Sequence, residues 1–210
     1  MKTLSEINRR YFNLLSYFYD WLFVFYFSPF YAKVIEIIET KAQKQLKEGM
    51  NFLDIACGTG RIIASLVKHY PQSNFFGIDI AERALAKAKK RTKNLKNVQF
   101  IHADARKLPF ADNSLDFVLV SEALHHLDFP QELFSEVRRV LKPGGFFLLA
   151  DPDRKPCYDQ PLVKKIIARL DPSYHYYTQK ELRGLFSAHQ FSLVQDFYFW
   201  WNNFFLGQKP

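Results

Sequence analysis

The sequence predicts an α/β fold: a doubly wound, seven-stranded sheet, mostly parallel with an antiparallel closing strand, preceded by an N-terminal helical segment. Three observations predict it. Five short apolar runs lie between residues 51 and 151, amphipathic charged stretches separate them, and two further strand-like runs close the chain. Strand alternating with helix implies a parallel sheet covered on both faces.

The five runs are NFLDIA (51–56), NFFGIDI (74–80), VQFIHAD (98–104), SLDFVLVS (114–121) and GFFLLAD (145–151), each bounded by Gly, Pro, Asn or Asp. Between them RIIASLVKHY, AERALAKAKKRTK and PQELFSEVRRVLK have helical period. The last starts on Pro130 and stops at Lys142-Pro143-Gly144-Gly145, both good boundary signals. QFSLVQDFYFW (190–200) and FFLGQ (204–208) supply the closing antiparallel pair. The chain of 210 residues suits one core domain, residues 49–210, with residues 1–48 as an aromatic helical appendage.

The two cysteines, Cys57 and Cys157, sit in no CxxC or Cys/His cluster, so neither a disulfide framework nor a metal site is expected. With no signal-peptide pattern, a reducing cytoplasm is the expected compartment. A net charge of +8 favours anionic surroundings without specifying a fold.

Ligands of doubly wound sheets bind outside the carboxyl ends of the strands. Asp54-Ile-Ala-Cys-Gly58-Thr-Gly60 turns from the first strand into a helix, and glycine there lets a ligand approach the backbone. Asp79 ends the next strand 19 residues after Gly60, where a carboxylate grips a ribose diol. Asp104 ends the third strand, and Ser121-Glu122 the fourth. A dinucleotide fingerprint needs a third glycine where Ile63 stands, and no GK[ST] is present for a triphosphate. A phosphate-free nucleoside with a sulfonium and an ammonium group suits the acidic set Asp54, Asp79 and Asp104. The residues therefore favour S-adenosylmethionine over NAD.

The runs LDIACGTGR, FFGIDIAERALAKAKKR, HADARKLPFADNSLDFVLVSEALHHL and FSEVRRVLKPGGFFLLAD, spanning about residues 50 to 151, resemble the class I methyltransferases. Within them the chain is similar to the methyltransferase type 11 group, which includes the quinone-biosynthesis C-methyltransferases. The resemblance implies a Rossmann-like fold, S-adenosyl-L-methionine as donor and S-adenosyl-L-homocysteine as product. It implies that Gly58 and Gly60 line the methionine and ribose portion with Asp54 nearby. Asp79 then binds the ribose hydroxyls, Ile80 lies against the adenine, Asp104 and Ala105 face the adenine edge, and Ser121 lies near the donor's amino-acid end. Ala56 stands where many members have the first glycine of the loop.

A base is needed when the acceptor has a proton to lose, and Glu122, His125, His126 and Asp151 are the candidates. A histidine titrates in the useful range, although one of the pair can equally cap or pack against the following helix. The tetrapeptide SEAL after the fourth strand lacks the N/D-P-P-Y pattern of base methylases. The basic residues Lys87, Lys89, Lys90, Arg91 and Lys93 read as a solvated helix face, so nucleic acid is not the expected partner.

Between Tyr11 and Ala32 only Asp20 is charged. The run is long enough to span a bilayer, but Asp20 lies near its middle and Ser28-Pro29 breaks it. It reads as a lid over the donor, as an interfacial segment with Arg9, Arg10 and Lys33 at anionic head groups, or as a helix packed on the domain. Tyr158, Tyr174, His175, Tyr176 and Tyr177 are candidates for the acceptor pocket. The expected acceptor is small and apolar or aromatic: a quinone precursor, a phenol or a lipid, with possible peripheral membrane contact. The alternatives are an RNA or protein methyltransferase and a non-catalytic donor-binding subunit.

Overall fold

The computed structural model describes residues 28–153 and 175–210, the side chains at 44 and 45 excepted. In chain order the elements are α1 (Ser28–Glu48), β1 (Asn51–Ile55), α2 (Arg61–Leu66), β2 (Asn74–Asp79), α3 (Glu82–Arg91), β3 (Val98–His102) and β4 (Leu115–Ser121). A 3-10 turn (Leu124–His126), α4 (Pro130–Val140), β5 (Leu141–Pro152), α5 (Gln179–Ala188), β6 (Ser192–Phe199) and β7 (Asn202–Gln208) follow. The strands form one sheet in the order β3-β2-β1-β4-β5-β7-β6. The first five run parallel, while β7 lies antiparallel to both β5 and β6. The predicted sheet is therefore the observed one.

Period-2 alternation divides the apolar residues between two cores. On one face Leu53, Ile55, Val118, Val120, Leu149 and Phe205 meet Leu133, Phe134 and Val137 of α4 and Leu182 and Phe186 of α5. On the other, Phe52, Phe117, Leu119, Leu148 and Phe204 meet Val34, Ile38 and Leu46 of α1 and Ile62, Ile63 and Leu66 of α2. The central β1 is buried along four of its five residues because both faces are covered.

Element ends differ modestly from the sequence expectation. α4 stops at Val140, because Leu141 is already extended and pairs with Leu115. The register then slips between Leu115 and Phe117, which makes β5 twelve residues long instead of the expected run from 145. α2 is shorter than its periodic run and ends at Leu66. Within the described residues α1 runs over Ser28–Glu48, and non-helical angles at Ala42 interrupt it. Of the aromatic run, only residues 28–32 lie within the described part. Arg9, Arg10, Cys157, Tyr158 and Tyr174 lie outside it.

Much of the unusual phenylalanine content goes into the core. Phe186 stacks on Phe147 at 5.2 Å and on Phe205 at 5.6 Å, and meets Phe134 edge-on at 5.1 Å. Such pairs add roughly 0.5–1.5 kcal/mol each beyond the area they bury. The Phe186→Ala variant is expected to lose about 3–5 kcal/mol of stability in urea unfolding. A loss below about 1 kcal/mol would show that this cluster does not hold α5 to the sheet.

Candidate functional site: the donor cavity at the strand ends

The loop after β1 takes its shape from three left-handed residues, Ala56, Gly58 and Gly60, with φ of 55°, 53° and 68°. The Cys57 N–H donates to the Ile78 carbonyl at 3.0 Å, and the Gly60 N–H to the Cys57 carbonyl at 2.9 Å. Asp79 ties the loop to β2. One carboxylate oxygen accepts from the Gly58 N–H at 2.8 Å and the other from the Ala81 N–H at 2.7 Å. Arg91 of α3 donates to the Thr59 carbonyl from behind.

The two glycines have separate reasons to be glycine. A Cβ on Gly58 would meet no atom within 4 Å, so that side of the loop is open to the cavity. A Cβ on Gly60 would lie 2.8 Å from both Ala88 of α3 and Phe100 of β3. Gly60 therefore lets α2 pack closely and does not line the cavity, in contrast to what the resemblance implies. Ala56 occupies the left-handed region with a Cβ, a strain of about 1–2 kcal/mol that glycine would not incur.

One cavity takes in Asp54, Ala56, Gly58, Asp79, Ile80, Asp104 and Ala105, and continues to Ser121, Glu122 and His126. Asp54 is 2% exposed, and its Oδ1 has no hydrogen-bond partner among the described residues. Burial first, and Asp79 second, hold the Asp54 carboxyl well above the usual carboxylate range. Burial raises Asp79 as well, against the backbone N–H groups that lower it. A buried acid with an orphaned oxygen beside a second, half-buried acid makes a site for a cationic ligand.

Asp104 is less free than expected. It accepts from the Arg106 backbone at 2.9 Å and its guanidinium at 3.0 Å, while Arg106 also reaches Asp128 at 2.9 Å and lies 4.0 Å above the Phe129 ring. This arginine rims the cavity. So do Tyr31 at the start of α1 and Arg61 at the start of α2. Sequence reasoning missed Arg61 and Arg106, each a basic residue just after a strand-end motif, whereas Tyr31 falls in the run read as a lid over the donor.

The four candidate bases separate. Glu122 and His126 line the cavity, and His125 and Asp151 do not. Asp151 is 1% exposed and accepts from the N–H groups of Ala123, Leu124 and His125 at 3.0, 3.1 and 3.1 Å. It also meets His125 Nδ1 at 3.1 Å. This carboxylate thus anchors the start of the 3-10 turn and turns His125 inward, which leaves His126 facing out. Tyr176 stacks on the His125 ring at 5.8 Å, the His175 N–H donates to the His125 carbonyl at 2.8 Å, and Tyr177 is core. These three back the turn and do not line the cavity. Glu122 has a left-handed backbone (φ 51°), its N–H donates to the Ala150 carbonyl at 2.8 Å, and burial pushes its carboxyl up to about 8.

Residues 53–149 match the family described as Methyltransferase domain. Demethylmenaquinone methyltransferase of Staphylococcus saprophyticus is 31% identical over 174 residues, covering 73% of this chain and 75% of that protein. This chain belongs to the class I methyltransferases that use S-adenosylmethionine. Among solved structures, YcgJ of Bacillus subtilis has a TM-score of 0.65 and 28% identity over 79% of this chain and 70% of that one. An S-adenosylmethionine-dependent methyltransferase from Aquifex aeolicus has a TM-score of 0.66 at 21% identity over 81% of this chain and 89% of that one, a likeness of fold.

The residues present fit the donor of this methyltransferase. The open side of Gly58 and the orphaned oxygen of Asp54 suit its cationic end, and the remaining lone pairs of Asp79 suit a diol. Asp79 both shapes the loop and faces the cavity. Asp79→Ala should therefore weaken S-adenosylmethionine binding at least about 100-fold by calorimetry. An affinity within about threefold of the unaltered protein would remove Asp79 from the site.

Proposed function

We propose that the chain methylates a small aromatic acceptor with an acidic hydroxyl, of the quinone-precursor class, and that Glu122 is its base. The supporting observation is the position of Glu122. It lies in the same cavity as the donor loop, half-buried with its Oε1 shielded from solvent, and its carboxyl is raised toward neutral pH. A base works best when its proton affinity is close to the operating pH. Similarity to demethylmenaquinone methyltransferases supports the acceptor class.

The bound donor supplies an electrophilic methyl group on a sulfonium. In this reading Asp54, Gly58 and Asp79 hold that donor, with Ile80, Asp104 and Ala105 at its adenine side and Ser121 near its amino-acid end. The cavity wall brings an acceptor held beside Glu122 and His126 next to the loop, and alignment supplies much of the rate. Glu122 takes the hydroxyl proton, a carbon of the resulting phenolate ring takes the methyl group as S-adenosylhomocysteine leaves, and that carbon then loses its own proton to solvent while Glu122 returns one to the oxygen, which restores the aromatic quinol. His126 flanks the acceptor, and Asp151 and His125 act only by fixing the turn that carries it. In this reading residues 49–210 bind the donor, α1 packs on the sheet and reaches the cavity rim through Tyr31, and the chain works in the cytoplasm with peripheral membrane contact. No helix among the described residues is long and apolar enough to cross a membrane.

The test uses methyl-labelled S-adenosylmethionine and a polyprenylated 1,4-naphthohydroquinone. Glu122→Gln is expected to lower kcat by about 10²–10⁴. With the donor saturating, kcat/KM for the acceptor should rise with pH, because Glu122 must be ionised to accept a proton. Its midpoint should fall below about 8, since a nearby cation favours the carboxylate. Unchanged turnover in Glu122→Gln, or label transferred only to polar acceptors from a cell extract, would overturn the reading.

A further inference from the structure

Asn202 opens β7, where it pairs with Pro152 of β5 and Phe199 of β6. It is fully buried, yet neither atom of its side-chain amide has a hydrogen-bond partner among the described residues. A buried amide left in this state has lost its water without gaining a partner, a penalty that a leucine of similar volume would avoid. The group that the amide faces is the carboxyl of Glu122, and Glu122 Oε1 is likewise buried with no hydrogen bond among the described residues. The two side chains approach without closing a hydrogen bond of normal geometry.

The sheet explains how they meet. Ala150 of β5 lies between β4 and β7, pairing with Ser121 on one side and Phe204 on the other. Its carbonyl receives the Glu122 N–H. Asn202 alternates in phase with Phe204 and Leu206, which share a core face with Ala150. The left-handed backbone at Glu122 breaks the alternation of β4 at the point where its side chain meets that face.

We propose that Asn202 is the positioning residue for Glu122, its amide N–H closing onto the carboxylate when that group ionises and so holding one oxygen toward the acceptor. This rests on the assignment of Glu122 as the base. A neutral donor suits this role, because a lysine there would keep Glu122 permanently ionised and an apolar residue would leave it too reluctant to ionise. Burial is the largest influence on Glu122; His125 favours the carboxylate and Asp151 opposes it. His126, Arg61, Asp54 and Tyr31 share the cavity from the turn, α2, β1 and α1. None of these lies on β7, so a change at Asn202 leaves them in place.

The experiment is an infrared titration of the full chain, with the Glu122 carboxyl band assigned by its loss in Glu122→Gln. In Asn202→Leu the band is expected to titrate at higher pH than in the unaltered protein by about 1 pH unit. Asn202→Ser, which keeps a hydroxyl donor and adds no bulk, should fall between the two and serves if the leucine variant does not fold. An unchanged titration in a folded variant overturns the proposal. The readout needs no acceptor, so the two readings fail separately. If the infrared shift appears while naphthohydroquinone is not methylated, the acceptor reading fails and the Asn202 role stands. If the quinol is methylated with the same pH profile in Asn202→Leu as in the unaltered protein, the Asn202 role fails alone.

Discussion

The Asp79 carboxylate is the constraint on which the site depends. Its two oxygens hold the Gly58 and Ala81 N–H groups, and so join the loop after β1 to the turn after β2. Parallel pairing of Asp54 with Gly77 and Ile55 with Ile78 brings those strand ends side by side, but pairing alone would leave the loop unattached. Charge-assisted hydrogen bonds to backbone N–H groups are among the stronger ones available, and here they act where burial strengthens them further. Once the loop is fixed, Gly58 opens toward the cavity and Gly60 seats α2 against Ala88 and Phe100.

Among the described residues, the same end of the sheet holds most of the buried polar groups, including Asp54, Thr59, His125, Asp151, Asn202 and Asn203. They fall into two kinds. Asp151 is satisfied several times over by one turn of backbone, and so makes that turn rigid. Asp54, Glu122 and Asn202 keep atoms without protein partners among the described residues, at a cost to stability. Interiors normally satisfy such atoms, and Asp54 and Glu122, which line the cavity, mark where a ligand can complete the bonding. The donor end and the acceptor end each have their own set. The opposite ends of the strands carry ordinary clamps, such as Lys209 across the carbonyls of Arg138 and Leu141.

Much of this was legible in the sequence, for physical reasons. Strands such as 74–79 and 115–121 are short apolar runs between turn residues, and nothing competes with that reading. Asp79 was legible because its spacing from Gly60 is set by the length of one helix and one strand. The roles of His125 and His126 were not, because adjacent residues in a short turn look alike until Asp151, 26 residues away, selects one of them. Gly60 read as a ligand glycine, since the packing of Ala88 and Phe100 against it is tertiary. Asn202 carried no signal at all. An asparagine beside two tryptophans at a hairpin reads as a turn residue, and only the position of β7 next to β5 brings it to Glu122. The extended start of β5 was hidden for a related reason, as the register slip opposite Leu115 depends on the partner strand.

The central claim is that Asp54, reluctant to ionise when buried beside Asp79, holds the cationic donor together with it. Calorimetry in buffers of different ionisation enthalpy, at pH values from about 5 to 7, measures the protons exchanged when S-adenosylmethionine binds. The Asp54 carboxyl lies well above its usual range in the free protein, and a cation beside it favours the charged form. Binding should therefore release protons, and affinity should rise with pH across that interval. Proton uptake, or an affinity independent of pH, would contradict the account.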